Sequence, residues 1–129
     1  MSRENPSGPR PPGRSVLLVE DSPDGREASR TLLSLLGHRV EVAADWAEGV
    51  RKALALRPEV VLIDLGLPRL DGYEVARQIR AALGGEVVLL AYTVRDQAEA
   101  GRQVRAAGFD GHLVKPVEFK ALAPWLDRS

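Results

Sequence analysis

This sequence predicts a doubly wound α/β domain: five parallel strands in the order 2-1-3-4-5, with helices on both faces of the sheet. Three observations lead there. Strand-like and helix-like stretches alternate five times along the chain with short connections, and parallel strands need such crossover helices. Two of the strand stretches, Val16-Leu17-Leu18-Val19 and Val60-Val61-Leu62-Ile63, are apolar at every position, as strands covered on both faces must be. Both run into carboxylates, Glu20-Asp21 and Asp64, at the strand ends where open α/β sheets place their chemistry.

Size and composition narrow the function classes. The 129 residues, 44% of them apolar, fit one domain that buries roughly two thirds of its unfolded surface. With 18 basic and 18 acidic side chains, net charge gives no electrostatic case for nucleic acid or membrane as the main partner. There is no cysteine, which excludes disulfides, thiolate metal sites and thiol catalysis. No apolar run approaches the ~20 residues that cross a bilayer, and the N-terminus lacks an apolar signal core. A soluble, cytoplasmic protein is expected, with no nucleic acid bound directly and no membrane.

Residues 1–14 hold four prolines and two glycines without an apolar run, so they read as a disordered leader before a domain spanning 15–127. Ser15 to Val19 is the first strand. Ser22 then caps a helix with Pro23 at its first position; Ala28, Leu32, Leu35 and Leu36 form the expected buried stripe, and Gly37 stops it. His38 reads as loop. Arg39 to Ala43 alternates as an edge strand should. Asp45 and Glu48 make a capping box for a helix carrying Ala47, Val50, Ala53 and Leu54 inward, closed by Pro58.

The third strand, Val60 to Asp64, enters a loop with Gly66 and Pro68. Asp71 and Glu74 make a second capping box, for a helix lined by Val75, Ile79 and Leu83 and ended by Gly84-Gly85. Glu86 to Tyr92 is the fourth strand, ending at Thr93. Gln97 to Ala107 is a weak helix with Gly101 inside it. Gly111 to Val114 is the fifth strand, leading into Lys115-Pro116. Glu118 to Leu126 is a last short helix interrupted by Pro124, on which Trp125 is expected to cover the core.

In this topology the parallel strand ends meet along one rim. Glu20, Asp21, Asp64, Thr93 and Lys115 therefore share a crevice. Three carboxylates that close repel one another unless a cation intervenes. An oxygen-only, water-accessible cluster suits Mg²⁺. For a phosphoryl group arriving at Asp64, Mg²⁺ and Lys115 neutralise its oxygens and Thr93 donates a hydrogen bond. A carboxylate nucleophile gives a high-energy acyl phosphate, suited to a reversible signal.

The pieces VLLVEDSPDGRE, VVLIDLGLPRLDGYEVARQIR, the YT that ends the fourth strand, and AGFDGHLVKPVE closely resemble the receiver domain of two-component response regulators, most of all receivers attached to hybrid sensor kinases. The likeness runs from Ser15 to about Leu122 and implies a flavodoxin-like fold. It implies that Asp64 accepts phosphate from a phosphohistidine on a histidine kinase or histidine phosphotransfer protein. Asp21, Asp64 and the Gly66 carbonyl would ligate Mg²⁺, with Glu20 acting through a water. Lys115 would pair with the phosphoryl group and Thr93 would be the switch hydroxyl. His112 stands where the family often has a Tyr or Phe that turns inward; as a histidine in a strand, it reads equally as a half-buried packing residue. Gly66 and Arg95, two residues beyond Asp64 and Thr93, occupy places that tune hydrolysis of the phosphate. Val94 departs from the usual Ala or Gly, and its branched side chain would narrow the approach to the phosphate or slow Thr93.

A phosphorylation-independent interaction scaffold is the competing function. An aspartyl-phosphate hydrolase would want a second acid at position 66, where Gly66 stands. Nucleotide binding is disfavoured because the first strand–helix turn is acidic and lacks Gly-rich amides. No output domain is expected after the last helix, so signalling would proceed by docking, to a kinase or phosphotransfer protein or within a longer polypeptide of which this is a piece, with a weak homodimer left open.

Overall fold

The computed structural model describes residues 13–65, 72–93, 104–114 and 125, the side chains of Thr93 and Val114 excepted. Five strands form one parallel sheet: β1 (Ser15–Val19), β2 (Arg39–Ala43), β3 (Val60–Asp64), β4 (Val88–Thr93) and β5 (Gly111–Val114). Their order is β2-β1-β3-β4-β5, as expected. Among the described residues, three helices cross between them: α1 (Pro23–Leu35), α2 (Trp46–Leu56) and α3 (Gly72–Leu83). A short 3-10 turn, Gly84–Glu86, follows α3, so β4 begins at Val88 rather than at Glu86. Helix reappears at 104–106. The segments expected around Asp71, over most of 97–107 and over 118–126 lie outside the described residues, Trp125 apart.

Side-chain alternation on the buried strands splits the core in two. Leu17, Val19, Val61, Ile63, Leu89 and Ala91 pack with Val75, Ala76 and Ile79 of α3 and Ala53 of α2. On the opposite face Val16, Leu18, Val60, Leu62, Leu90 and Leu113 pack with Leu33 of α1, and Trp125 lies against them. Trp125 therefore covers core. Its ring occupies the space beside Gly111, where an added Cβ would lie 2.5 Å from the indole.

Helix caps follow the expected chemistry, with one shift. The Gly25 amide donates to Ser22 Oγ and the Glu48 amide to Asp45 Oδ1. The return bond of the Asp45–Glu48 box lands one residue early, on the Ala44 amide, which donates to Glu48 Oε1 at 2.8 Å. Arg57 ends α2 in the left-handed conformation (φ 48°). On α3 the expected stripe of Val75, Ile79 and Leu83 is buried.

The inward faces of α1 and α2 are rotated from expectation. Ala28, Leu35 and Leu36 are exposed, Leu35 by 79%; α1 turns Arg26, Ser29 and Leu33 inward instead, a 3-then-4 spacing on one helical face. On α2, Ala47 and Leu54 face out, while Trp46, Gly49, Val50 and Ala53 face the sheet. Apolar periodicity misled here because inward polar side chains found distant partners and because Gly49 is required by proximity: a Cβ there would meet Val19 Cγ2 at 2.9 Å.

The end of the sheet away from the acids is clasped by ionic contacts. Glu59 accepts from the Ser15 amide at 2.9 Å and from Arg14 at 3.2 Å, while the Arg14 amide donates to His38 Nδ1. The Ser15 amide holds the Glu59 carboxyl below its ordinary value of 4.5, and Arg14 adds to the effect. A carboxyl whose folded pKa is depressed stabilises the protein above its unfolded pKa and loses that contribution as pH falls through the folded one. Glu59→Gln should thus be slightly less stable than wild type near neutrality, with the two unfolding curves converging as pH drops below 4.5. Denaturant titration across pH checks this; a constant gap down to low pH would refute it.

Strand β2 is an edge of the sheet, exposed or half-exposed from Arg39 to Val42 and buried at Ala43. Lys52 of α2 donates to the Val42 carbonyl at 2.8 Å and pairs with Glu41 and Glu48.

Candidate functional site

The apolar run of β3 leaves no choice about where Asp64 falls: it ends the strand, in register with Tyr92 of β4. Neighbouring β1 ends one residue before Glu20, whose amide donates to the Ala43 carbonyl of β2. Adjacent parallel strands thus deliver Glu20, Asp21 and Asp64 to one rim. One carboxylate oxygen from each lies within 4.8 Å of the other two. Glu20 and Asp64 are 2% and 1% exposed, whereas Asp21 opens to solvent.

Three carboxylates this close, two of them buried, need compensating positive charge. The donor set is oxygen only, one member is open to water, and the spacing lets one small ion sit among all three. These features fit Mg²⁺, which takes few carboxylates and keeps waters. Asp21, Asp64 and Glu20 are the residues that could hold it.

Helix α1 braces the acids. The Ser22 amide approaches Glu20 Oε2 at 3.4 Å, and Arg26 Nη1 donates to the backbone carbonyls of Glu20 and Asp21 at 2.9 and 3.2 Å. Gly25 stands so near that a Cβ there would lie 3.1–3.3 Å from the Glu20 carboxylate. On the other side, the Leu65 amide donates to the Tyr92 carbonyl at 2.8 Å, fixing the backbone just after Asp64. The Tyr92 hydroxyl shares a hydrogen bond with Ser29 Oγ of α1 at 3.0 Å. Arg26, Ser29 and the Tyr92 hydroxyl did not emerge from the sequence as site residues. The one available signal was the helical spacing of Arg26, Ser29 and Leu33, which marks an inward face carrying polar groups.

Of the other expected residues, Thr93 ends β4 in register with Val114 of β5, which sets its backbone at the same rim; its side chain is not among those described. His112 is half-buried in β5, paired with Ala91. Gly66, Val94, Arg95 and Lys115 lie outside the described residues. Among the described residues no helix is long and apolar enough to cross a membrane.

Residues 16–126 match the family model described as the response regulator receiver domain. A response regulator MprA from Mycolicibacterium vanbaalenii is 37% identical over 107 residues, which are 83% of this chain and 46% of that protein; the chain thus spans about half the length of the curated relatives it matches. Among solved structures, the chemotaxis protein CheY4 of Vibrio cholerae superposes with a TM-score of 0.80 at 31% identity, covering 89% of this chain and 97% of its own. The receiver domain of the sensor histidine kinase PA1611 from Pseudomonas aeruginosa, solved with a magnesium ion in its active-site cleft, gives 0.77 at 34% identity, covering 90% and 99%.

Proposed function

The chain belongs to the receiver domain family of two-component response regulators, a family of phosphoacceptor switches, and from that premise we propose that Asp64 is the residue that takes the phosphoryl group, from a phosphohistidine on a histidine kinase or histidine phosphotransfer protein. The observation that carries this is the convergence of Glu20 and Asp21 on a buried Asp64 at the end of the central strand. Asp21, Asp64 and the Gly66 carbonyl would hold Mg²⁺ directly, and Glu20 would act through a water.

An Asp64 carboxylate oxygen attacks phosphorus; the new P–O bond forms as the P–N bond breaks, and the electron pair leaves with the imidazole nitrogen, which then takes up a proton. Bound Mg²⁺ supplies positive charge against the phosphoryl oxygens. Glu20 and Asp21, fixed by the amide of Ser22 and the guanidinium of Arg26, keep the carboxylates spaced before the donor arrives, so little reorganisation remains for the transfer itself. Lys115 pairs with a phosphoryl oxygen, Thr93 donates to another, and His112 follows Thr93 inward. The domain runs to 127 and includes Arg14, whose amide and guanidinium bond to His38 and Glu59. Its own chemistry is limited to Mg²⁺-dependent self-phosphorylation from small donors and slow self-hydrolysis. It works in the cytoplasm by docking, without contacting nucleic acid or membrane itself, and a weak homodimer is compatible with this mode.

Beryllofluoride, which mimics the acyl phosphate, should bind saturably and only with Mg²⁺, followed by calorimetry. No binding at saturating Mg²⁺ would instead support the phosphorylation-independent scaffold, with Val94 closing the approach. Arg95 and Gly66 set the lifetime: Arg95→Ala should speed loss of the phosphate, measured as decay of the phosphorylated mass, and an unchanged decay rate would remove Arg95 from that role.

A further inference from the structure

Building on that ion site, we propose that the Ser29–Tyr92 hydroxyl pair is a positioning strut for it, setting the distance of α1 from β4 and hence the spacing of Glu20 and Asp21 from Asp64. At one end, Tyr92 is 7% exposed, stands in register with Asp64 and receives the Leu65 amide on its carbonyl at 2.8 Å. It is therefore fixed to the backbone on either side of the phosphoacceptor. At the other end, Ser29 lies on the same face of α1 as Arg26 and close to Gly25, which together hold the Glu20 and Asp21 carbonyls and abut the Glu20 carboxylate. A change in the separation of α1 and β4 is thus transmitted to the acids at both ends.

The choice of residues supports a spacing role. An apolar pair would fill this space and bury more surface, whereas a Tyr hydroxyl in a core demands a partner. A hydrogen bond has a narrow optimum in length, which apolar contact lacks, so the 3.0 Å bond specifies a distance as well as an affinity. Coupling between two equilibria is reciprocal. If the strut sets the spacing that the ion needs, the bound ion must strengthen the strut.

The test is a double-mutant cycle of Ser29→Ala, Tyr92→Phe and the double variant, unfolded in denaturant with and without saturating Mg²⁺, beside Mg²⁺ dissociation constants from tryptophan fluorescence. Each single variant should weaken Mg²⁺ binding about fivefold, the equivalent of one ordinary hydrogen bond, and the double variant should be no worse than either. The Ser29–Tyr92 coupling should be larger with Mg²⁺ than without. Gly25→Ala, which presses directly on Glu20, should weaken binding with the strut intact. Equal coupling in both conditions, with dissociation constants unchanged by loss of either hydroxyl, would overturn the proposal and leave the bond a packing contact. Failure of the wild type to bind Mg²⁺ would overturn the proposed function, and the strut's role with it.

Discussion

Asp64→Asn is expected to abolish phosphorylation outright. Wild type incubated with acetyl phosphate and Mg²⁺ should gain a single phosphoryl group, stable in acid and lost in base as an acyl phosphate is; the variant should gain none. Asparagine fills nearly the same volume at the end of β3, so the buried position tolerates it sterically. It removes the anionic oxygen proposed to attack phosphorus, and one of the three carboxylates that face each other within 4.8 Å. Because nucleophile and ligand vanish together, the effect is a complete loss. Intact mass spectrometry reads it directly, and cooperative unfolding of the variant separates lost chemistry from lost fold. A phosphoryl group of the same lability appearing on the variant would move the acceptor elsewhere.

The largest stability effect should come from Arg80→Ala, far from the acids. Arg80 Nε and Nη2 both donate to the Gly108 carbonyl, at 3.0 and 2.8 Å. Nη1 reaches the carbonyls of Gly84 and Val87, and Nη2 meets Asp110 Oδ2 at 2.7 Å. The same Asp110 oxygen accepts from the Leu89 amide. One guanidinium thus ties the end of α3, the approach to β4 and the turn before β5. Its removal strands acceptors in three segments and leaves Asp110 without this partner. With charge-assisted bonds contributing about 1.5–3 kcal/mol each and partly replaced by water, the loss should be about 3 kcal/mol, a Tm drop of about 10 °C. Arg80→Lys should recover only a fraction, because an ammonium cannot reproduce the planar fork. Thermal unfolding measures both; a fall below about 1 kcal/mol would mean that water substitutes for the clamp.

What was legible in the sequence follows from how each feature is encoded. β1 and β3 are apolar at every core position, so only one register puts acids at their ends, and their limits fall at Ser15–Val19 and Val60–Asp64 as expected. The meeting of Glu20, Asp21 and Asp64 was then a consequence of topology. Helix orientation was less readable. On α1 the apolar residues Ala28, Leu35 and Leu36 suggested one face, yet Arg26 and Ser29 turn inward because their partners, the Glu20 and Asp21 carbonyls and the Tyr92 hydroxyl, come together only in the folded chain. The Arg80 clamp was hidden for the same reason: it rests mostly on backbone carbonyls, which leave no trace in residue type, and on Asp110, thirty residues away. The start of β4 was displaced because Gly84–Glu86 takes a 3-10 turn before the strand begins.

The outer flank of β2 bears on how the protein behaves when crowded. An unpaired strand invites a neighbouring chain to extend the sheet, the first step toward aggregates. Here Lys52 already sits on the Val42 carbonyl, and the exposed Arg39 and Glu41 put charge along the same border. An incoming strand would have to dislodge that ammonium and accommodate both charges. Acetylating Lys52 would remove the positive charge, and insolubility at high expression would be the first symptom.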